Sequence, residues 1–235
     1  MNPLSGVMRD AWQTYRAFAG HFLAVAFIIY VGAAIVGAVF AWALGTVGVL
    51  LADVVQIFAT FLLQASLVRA VQDVRDGRAD LSVGQTMRSV LPILGTVTAA
   101  GILAAIGITI GLILIIAPGL WLITIWALIM PVIVIERAGV FDSFGRSRRM
   151  VRGHGWEVFG ILVLLFIIEI AVIIVVGILL TGLPAGLGSG LGSIIAGTLV
   201  APFIAIVVTH IYYRLGGSNG TQPGGTAGYG DYYAA

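Results

Sequence analysis

The stretch WEVFGILVLLFIIEIAVIIVVGILLT, residues 156–181, decides the fold. After Glu157 its only charged residue is Glu169, and most of the remainder is Ile, Leu, Val and Phe. About 20 such residues in a helix cross the ~30 Å of hydrocarbon in a bilayer. With no water there to satisfy backbone groups, a helix is the form such a segment takes. Five comparable runs, at 18–44, 48–68, 92–116, 119–135 and 192–213, bring the predicted transmembrane helices to six. The predicted fold is all-α, a polytopic membrane protein.

Composition agrees. The 235 residues are 60% apolar and only 9% charged, against roughly 45–50% and 25% in soluble domains. Six spans consume more than half the chain and leave no room for a separate soluble catalytic domain. The first run, His21 to Leu44, is too long for a secretory signal and is followed by further spans, so it reads as a retained anchor.

All twelve basic residues are arginines, and they lie on alternate connections. Arg9 and Arg16 precede the first run, and Arg69, Arg75, Arg78 and Arg88 follow the second. Arg137, Arg146, Arg148, Arg149 and Arg152 follow the fourth, and Arg214 closes the sixth. The connections around 45–48, 117–119 and 182–192 carry none. Loops that stay in the cytoplasm retain Lys and Arg, so both termini are expected there. The absence of lysine beside abundant Ala, Gly and Val suits a GC-rich bacterial genome, and hence a multi-pass protein of the bacterial inner membrane. Trp12, Tyr15, Trp156, Tyr212 and Tyr213 fall at predicted inner boundaries, and Trp42 and Trp121 at outer ones. Tyr30 and Trp126 fall mid-span, outside both belts.

Three segments repeat an amphipathic design suited to the membrane interface. In the first, Leu4, Val7, Met8, Ala11, Trp12, Tyr15 and Phe18 oppose Arg9, Asp10, Gln13 and Arg16. The second carries Val83, Met87, Val90 and Leu91, opened by Ser82 and Gln85 at capping-box spacing. The third carries Val140, Phe144, Ser147 and Val151, with Asp142 and Arg146 spaced to pair at i,i+4 on the wet face. Residues 1–215 thus read as one membrane domain of three units, about 1–79, 80–137 and 138–215, each an interfacial helix followed by a hairpin. The Gly- and Tyr-rich tail, 216–235, is expected to be disordered in the cytoplasm. Gly107 and Gly111 form a GxxxG pair for close helix contact, extended by Gly95, Ala99 and Gly101. Pro118-Gly119 marks a turn, Pro131 and Pro202 should kink their helices, and the Gly-rich 182–192 reads as a flexible loop.

Few residues suggest chemistry. Zero cysteines exclude disulfides, zinc thiolates and thiol catalysis. No Ser-His-Asp order, paired carboxylates, HExxH or P-loop appears, so no catalytic residue, metal or cofactor is expected. The pI near 9.2 points to anionic lipid headgroups, the nearest partner of arginines beside spans, and not to nucleic acid. Glu169 is the main anomaly. An acid at mid-membrane depth costs roughly 2.5–3.5 kcal/mol on insertion scales and marks a proton or cation site, or else is a protonated acid bonded to a neighbouring helix's backbone or hydroxyl, such as Thr109, Thr124 or Thr198. Asp53, with Gln56 near the outer end of the second span, is either a second acid for a transport path or a residue exposed at the interface, and Gln64, deeper, reads as an interhelical hydrogen bond. His21, His154 and His210 share one predicted depth, where they either gather as a metal site or only line the interface. Arg146, Arg148, Arg149 and Arg152 form the densest basic cluster, and guanidinium groups suit phosphate oxygens.

The stretch PGLWLITIWALIMPVIVIERAGVFDSFGRSRRMVRGHGWEVFG, residues 118–160, resembles the membrane domain found with bacterial glycerophosphoryl diester phosphodiesterases and related six-span proteins of unknown function. The shared elements are the Pro-Gly pair, a span ending in Pro-Val and Glu136, the Arg-Ser-Arg core, and Gly153, His154 and Trp156 opening the next span. In fused members the hydrolytic chemistry belongs to a separate barrel domain, of which this chain holds no counterpart. The resemblance implies a module that anchors a protein partner or presents glycerolipid material to it. The leading expectation is a non-catalytic, lipid-interacting scaffold using the four arginines. The rivals are a small transporter or lipid flippase using Glu169 and an intramembrane enzyme using the histidines.

Overall fold

Segments this apolar bond their backbones internally, and every regular element among the described residues is a helix. The computed structural model describes residues 3–216, so the tail expectation lies, apart from Gly216, outside the described residues. The elements are α1 (Val7–Ala17), α2 (Ala19–Asp73), α3 (Val83–Val90), α4 (Leu94–Leu114), α5 (Ile116–Ile125), α6 (Ile129–Glu136), α7 (Val140–Val151), α8 (Gly155–Leu179) and α9 (Ala185–Arg214). Among the described residues, five helical stretches are long and apolar enough to cross a membrane: 19–73, 83–114, 116–136, 155–179 and 190–214.

The first of these is broken. Gly45 has φ 56° and ψ −131°, a conformation in which a side chain is strained. A Cβ built on Gly37 would lie 3.4 Å from that of Ala52. Fifteen residues of unbroken helix would separate those positions by about 22 Å, so the chain doubles back at Gly45 into two antiparallel arms. The second reversal, between α4 and α5, lies at Ile115 in extended conformation (φ −157°, ψ 134°). The Pro118-Gly119 turn expected from sequence is therefore corrected. Pro118 sits in the first turn of α5, where its missing N–H leaves no bond unmade, and Gly119 lets that turn press against Gly111. Gly107 meets Trp126 and Gly101 meets Phe61, whereas Gly95 faces open space. The Gly-rich stretch from residue 185 is likewise not loop but the opening of α9, and Pro202 lies within that helix.

Buried side chains concentrate at one end of the bundle. Val7 and Ala11 of α1, Phe22 and Val71 of α2, Leu128 and Val132 around the start of α6, Val151 of α7, and Ile206, Ile211 and Tyr212 of α9 form one cluster. Val68, Val90, Val97, Ile129 and Ile133 form a second. At the opposite end Ile35, Val39, Trp42, Leu50, Ile113, Ile116, Ile174 and Leu179 are exposed. That exposed area far exceeds what a water-soluble monomer tolerates, and hydrocarbon is the solvent that suits it.

The short helices stitch the buried end together. Ser82 and Gln85 form the capping box that opens α3, with Ser82 N donating to Gln85 Oε1 at 2.8 Å and Gln85 N to Ser82 Oγ at 3.3 Å. On α1, Asp10 was expected on the wet face but is buried, because Arg214 at the end of α9 donates to its carboxylate. Arg214 also holds the Pro3 and Ser5 carbonyls, tying the first described residues to the last helix. Tyr15 donates to the Leu199 carbonyl at 3.1 Å, and its partial burial raises the pKa of the hydroxyl above its usual value.

Candidate functional site

The polar side chains that sequence scatters along the spans meet in one place. A cavity of about 820 Å³ opens between α2, α8 and α9, with Ala127 and Met130 closing it from the α5–α6 junction. Its polar lining is Tyr30 from the first arm of α2, Thr60 and Gln64 from the second arm, Glu169 from α8 and Ser193 from α9. The rest of the wall is aliphatic or glycine. Thr60 and Gln64 share a face by i,i+4 spacing. Small residues on α9, from Gly188 through Gly192, Ala196 and Gly197 to Ala201, hold back the wall and leave the space.

Glu169 belongs to none of the ion pairs found among the described residues. Tyr30 lines the same cavity. The structural bond expected from Thr109, Thr124 or Thr198 is not made, since none of the three lines the cavity. Thr124 donates instead to the Leu120 carbonyl at 2.9 Å, and the buried Thr198 hydroxyl has no partner in the protein. Asp53 is exposed and off the cavity wall, so the two candidate acids are not brought together.

The cavity floor exists because α5 and α6 are separate helices. Pro131 falls in the first turn of α6, and the break at 126–128 frees backbone groups that a continuous helix would pair. Ser147 of α7 satisfies them. Its buried hydroxyl accepts from Leu128 N at 3.2 Å and donates to the Ile125 carbonyl at 2.7 Å. Trp126, one exception to the aromatic belts, lies in this break with its ring edge-on to Phe144 at 4.9 Å. Tyr30, the other exception, packs over Gly197 on the cavity wall.

The arginine cluster divides. The expected Asp142–Arg146 pair does not form. Arg137 adopts a left-handed turn (φ 56°, ψ 31°) after α6, and α7 folds back so that Arg146 meets Glu136 instead. Arg146 donates to both Glu136 carboxylate oxygens at 3.1–3.2 Å, and the buried Tyr212 adds a bond to Oε1 at 2.8 Å. Arg148, Arg149 and Arg152 are exposed, and Arg148 stands 5.6 Å from the ring of Trp121, a residue expected at the opposite boundary. Nearby, Arg75 stacks over Tyr213 at 3.7 Å. The histidines are set apart by their contacts. His210 Nε2 lies 3.5 Å from the Thr14 hydroxyl, while His21 Nε2 and His154 Nδ1 are buried without a hydrogen-bond partner in the protein. Among the described residues, no three His, Asp or Glu side chains gather closely enough to hold a metal ion.

Sequence reasoning singled out Glu169 as a site residue, read Gln64 as an interhelical hydrogen bond, and missed Tyr30, Thr60 and Ser193. The available signal was a mid-span tyrosine that fits neither interface belt. No curated protein and no solved structure matches the chain. A family model does match, over residues 74–215, more than half of the chain. It includes the 118–160 stretch and Glu169, and its description assigns no activity and names no phosphodiesterase. This chain belongs to that family, described as a domain of unknown function, DUF7847.

Proposed function

We propose that this protein is a six-pass, non-catalytic module of the bacterial inner membrane that receives a lipid-like amphiphile in the cavity at Glu169. The observation that carries the reading is the cavity itself. Mostly apolar walls with a few convergent polar groups from three helices are what a ligand with a hydrocarbon part and a polar head requires. Its volume lies within the ~300–1,000 Å³ usual for ligand pockets.

The count of six rests on reading the two arms of α2 as separate passes, which the reversal at Gly45 supports. Arginine-bearing connections then share the cytoplasmic side with both termini. The polar faces of α1, α3 and α7, with Arg9, Arg16, Arg88, Arg148 and Arg149 on them, suit helices lying at that interface. The resemblance to the membrane domain of glycerophosphoryl diester phosphodiesterases supports a glycerolipid-like ligand, presented to a protein partner. A second reading, anionic headgroup contact at Arg148, Arg149 and Arg152, is favoured by their exposure, with Arg146 withdrawn from it by Glu136.

The test is saturable binding of a fluorescent monoacylglycerol to the full-length protein in lipid nanodiscs. Gly177 lines the cavity, and a side chain added there would meet nothing within 4 Å. Gly177→Leu should therefore narrow the space, keep the helix, and weaken binding. Uptake by the wild type no greater than that of protein-free discs overturns the proposal.

A further inference from the structure

We infer that the head of the cavity's ligand is an organic cation, with Glu169 as its counter-ion. This rests on the cavity being a ligand site, and it assigns the ligand's charge. Among the described residues lining the space, Glu169 is the one charged side chain, and no Arg, Lys or His joins it. Arg69, which follows the lining residue Val68, donates to Gln72 and is not on the wall, and three other arginines are engaged elsewhere: Arg146 with Glu136, Arg214 with Asp10, and Arg75 with the Tyr213 ring.

An anionic head in this space meets uncompensated repulsion from the carboxylate. A neutral head, such as that of a monoacylglycerol, binds through hydrogen bonds alone and gains none of the attraction that a counter-charge adds. A cation balances it, and opposite charges attract more strongly there than in water. Tyr30 contributes an aromatic ring, a second group that favours cations. An inorganic ion does not fit. Sodium-sized and divalent cations need a shell of about six oxygens, whereas most of this wall is aliphatic or glycine. The matching chemistry is an amine, quaternary ammonium or phosphonium head attached to apolar groups.

The nearly isosteric pair tetraphenylphosphonium and tetraphenylborate isolates charge from shape. With the full-length protein in uncharged nanodiscs, and protein-free discs subtracted, the phosphonium should bind at least about tenfold more tightly than the borate, a difference of about 1.4 kcal/mol. Glu169→Gln should erase that preference while monoacylglycerol still binds. Asp53→Asn, off the wall, should leave the preference intact. Equal affinity of the wild type for the two ions, or preference for the borate, overturns the charge assignment. If monoacylglycerol still binds in that case, the cavity reading survives. The wild-type ion comparison needs no variant to fold.

Discussion

Arg146 clasps Glu136 from the neighbouring helix, with Nε and Nη2 donating to the two carboxylate oxygens at 3.1–3.2 Å. Tyr212 of α9 closes the group from the other side. One carboxylate at the end of α6 thus joins three helices beside the buried core. Arg146→Gln should lower unfolding stability by about 1.5 kcal/mol. That is the lower end of the range for hydrogen bonds to charged groups, because both partners keep some exposure. Glu136→Gln retains an oxygen that accepts from Tyr212 and should cost less. Denaturant titration in detergent measures both, and equal stability of all three proteins would show that the pair contributes nothing.

The remaining arginines should behave in the opposite way. Replacing Arg148, Arg149 and Arg152 together with Gln should leave the unfolding midpoint unchanged, since all three are exposed. Affinity for vesicles containing anionic lipid should fall by tenfold or more, at about 1 kcal/mol per basic residue near a charged surface. Unchanged vesicle affinity would end the headgroup reading.

Ser147 and Ser143 are both fully buried on α7 and make a matched comparison. The Ser143 hydroxyl bonds only to the Val140 carbonyl of its own helix, at 2.6 Å. Ser147 serves a donor and an acceptor of the broken span. Ser147→Ala should cost about 2–6 kcal/mol, since each of the two buried backbone groups left unpaired costs about 1–3, and Ser143→Ala less than about 1. Thermal unfolding of the two variants decides it. Similar losses would mean that the break does not depend on the serine.

Gly45→Ala should cost about 1–3 kcal/mol, because its φ and ψ lie where only glycine is unstrained. Gly32→Ala, in regular helix with open space at the new methyl, should be neutral or stabilising. The same hairpin can be checked by distance, since the protein has no cysteine of its own. The pair Gly37→Cys and Ala52→Cys should crosslink readily, and failure of a short crosslinker to join them contradicts the reversal.

The long apolar helices and the capping box at Ser82 were legible because they depend on local composition and spacing. So was the interruption at Pro131. Three features were not. The partner of Arg146 was misassigned because i,i+4 arithmetic cannot see Glu136 arriving through a left-handed turn at Arg137. Asp10 was placed in water because its partner, Arg214, lies at the other end of the chain. The turn at Pro118-Gly119 was misread because the same dipeptide also opens a helix, with glycine allowing close packing. At the site, Glu169 declared itself by charge. Tyr30 and Thr60 carry none, and only folding shows that they share its cavity.

The most direct measurement is a map of crosslinks from a photoreactive, monoacylglycerol-like probe bound to the full-length protein in nanodiscs and read by mass spectrometry. The account predicts label on the cavity-facing residues of α2, α8 and α9, around Gln64, Ile173 and Ala196, with label at those sites reduced in Gly177→Leu. Label confined to the lipid-exposed positions around Val39, Ile113 and Leu179, and unchanged in the variant, would contradict it.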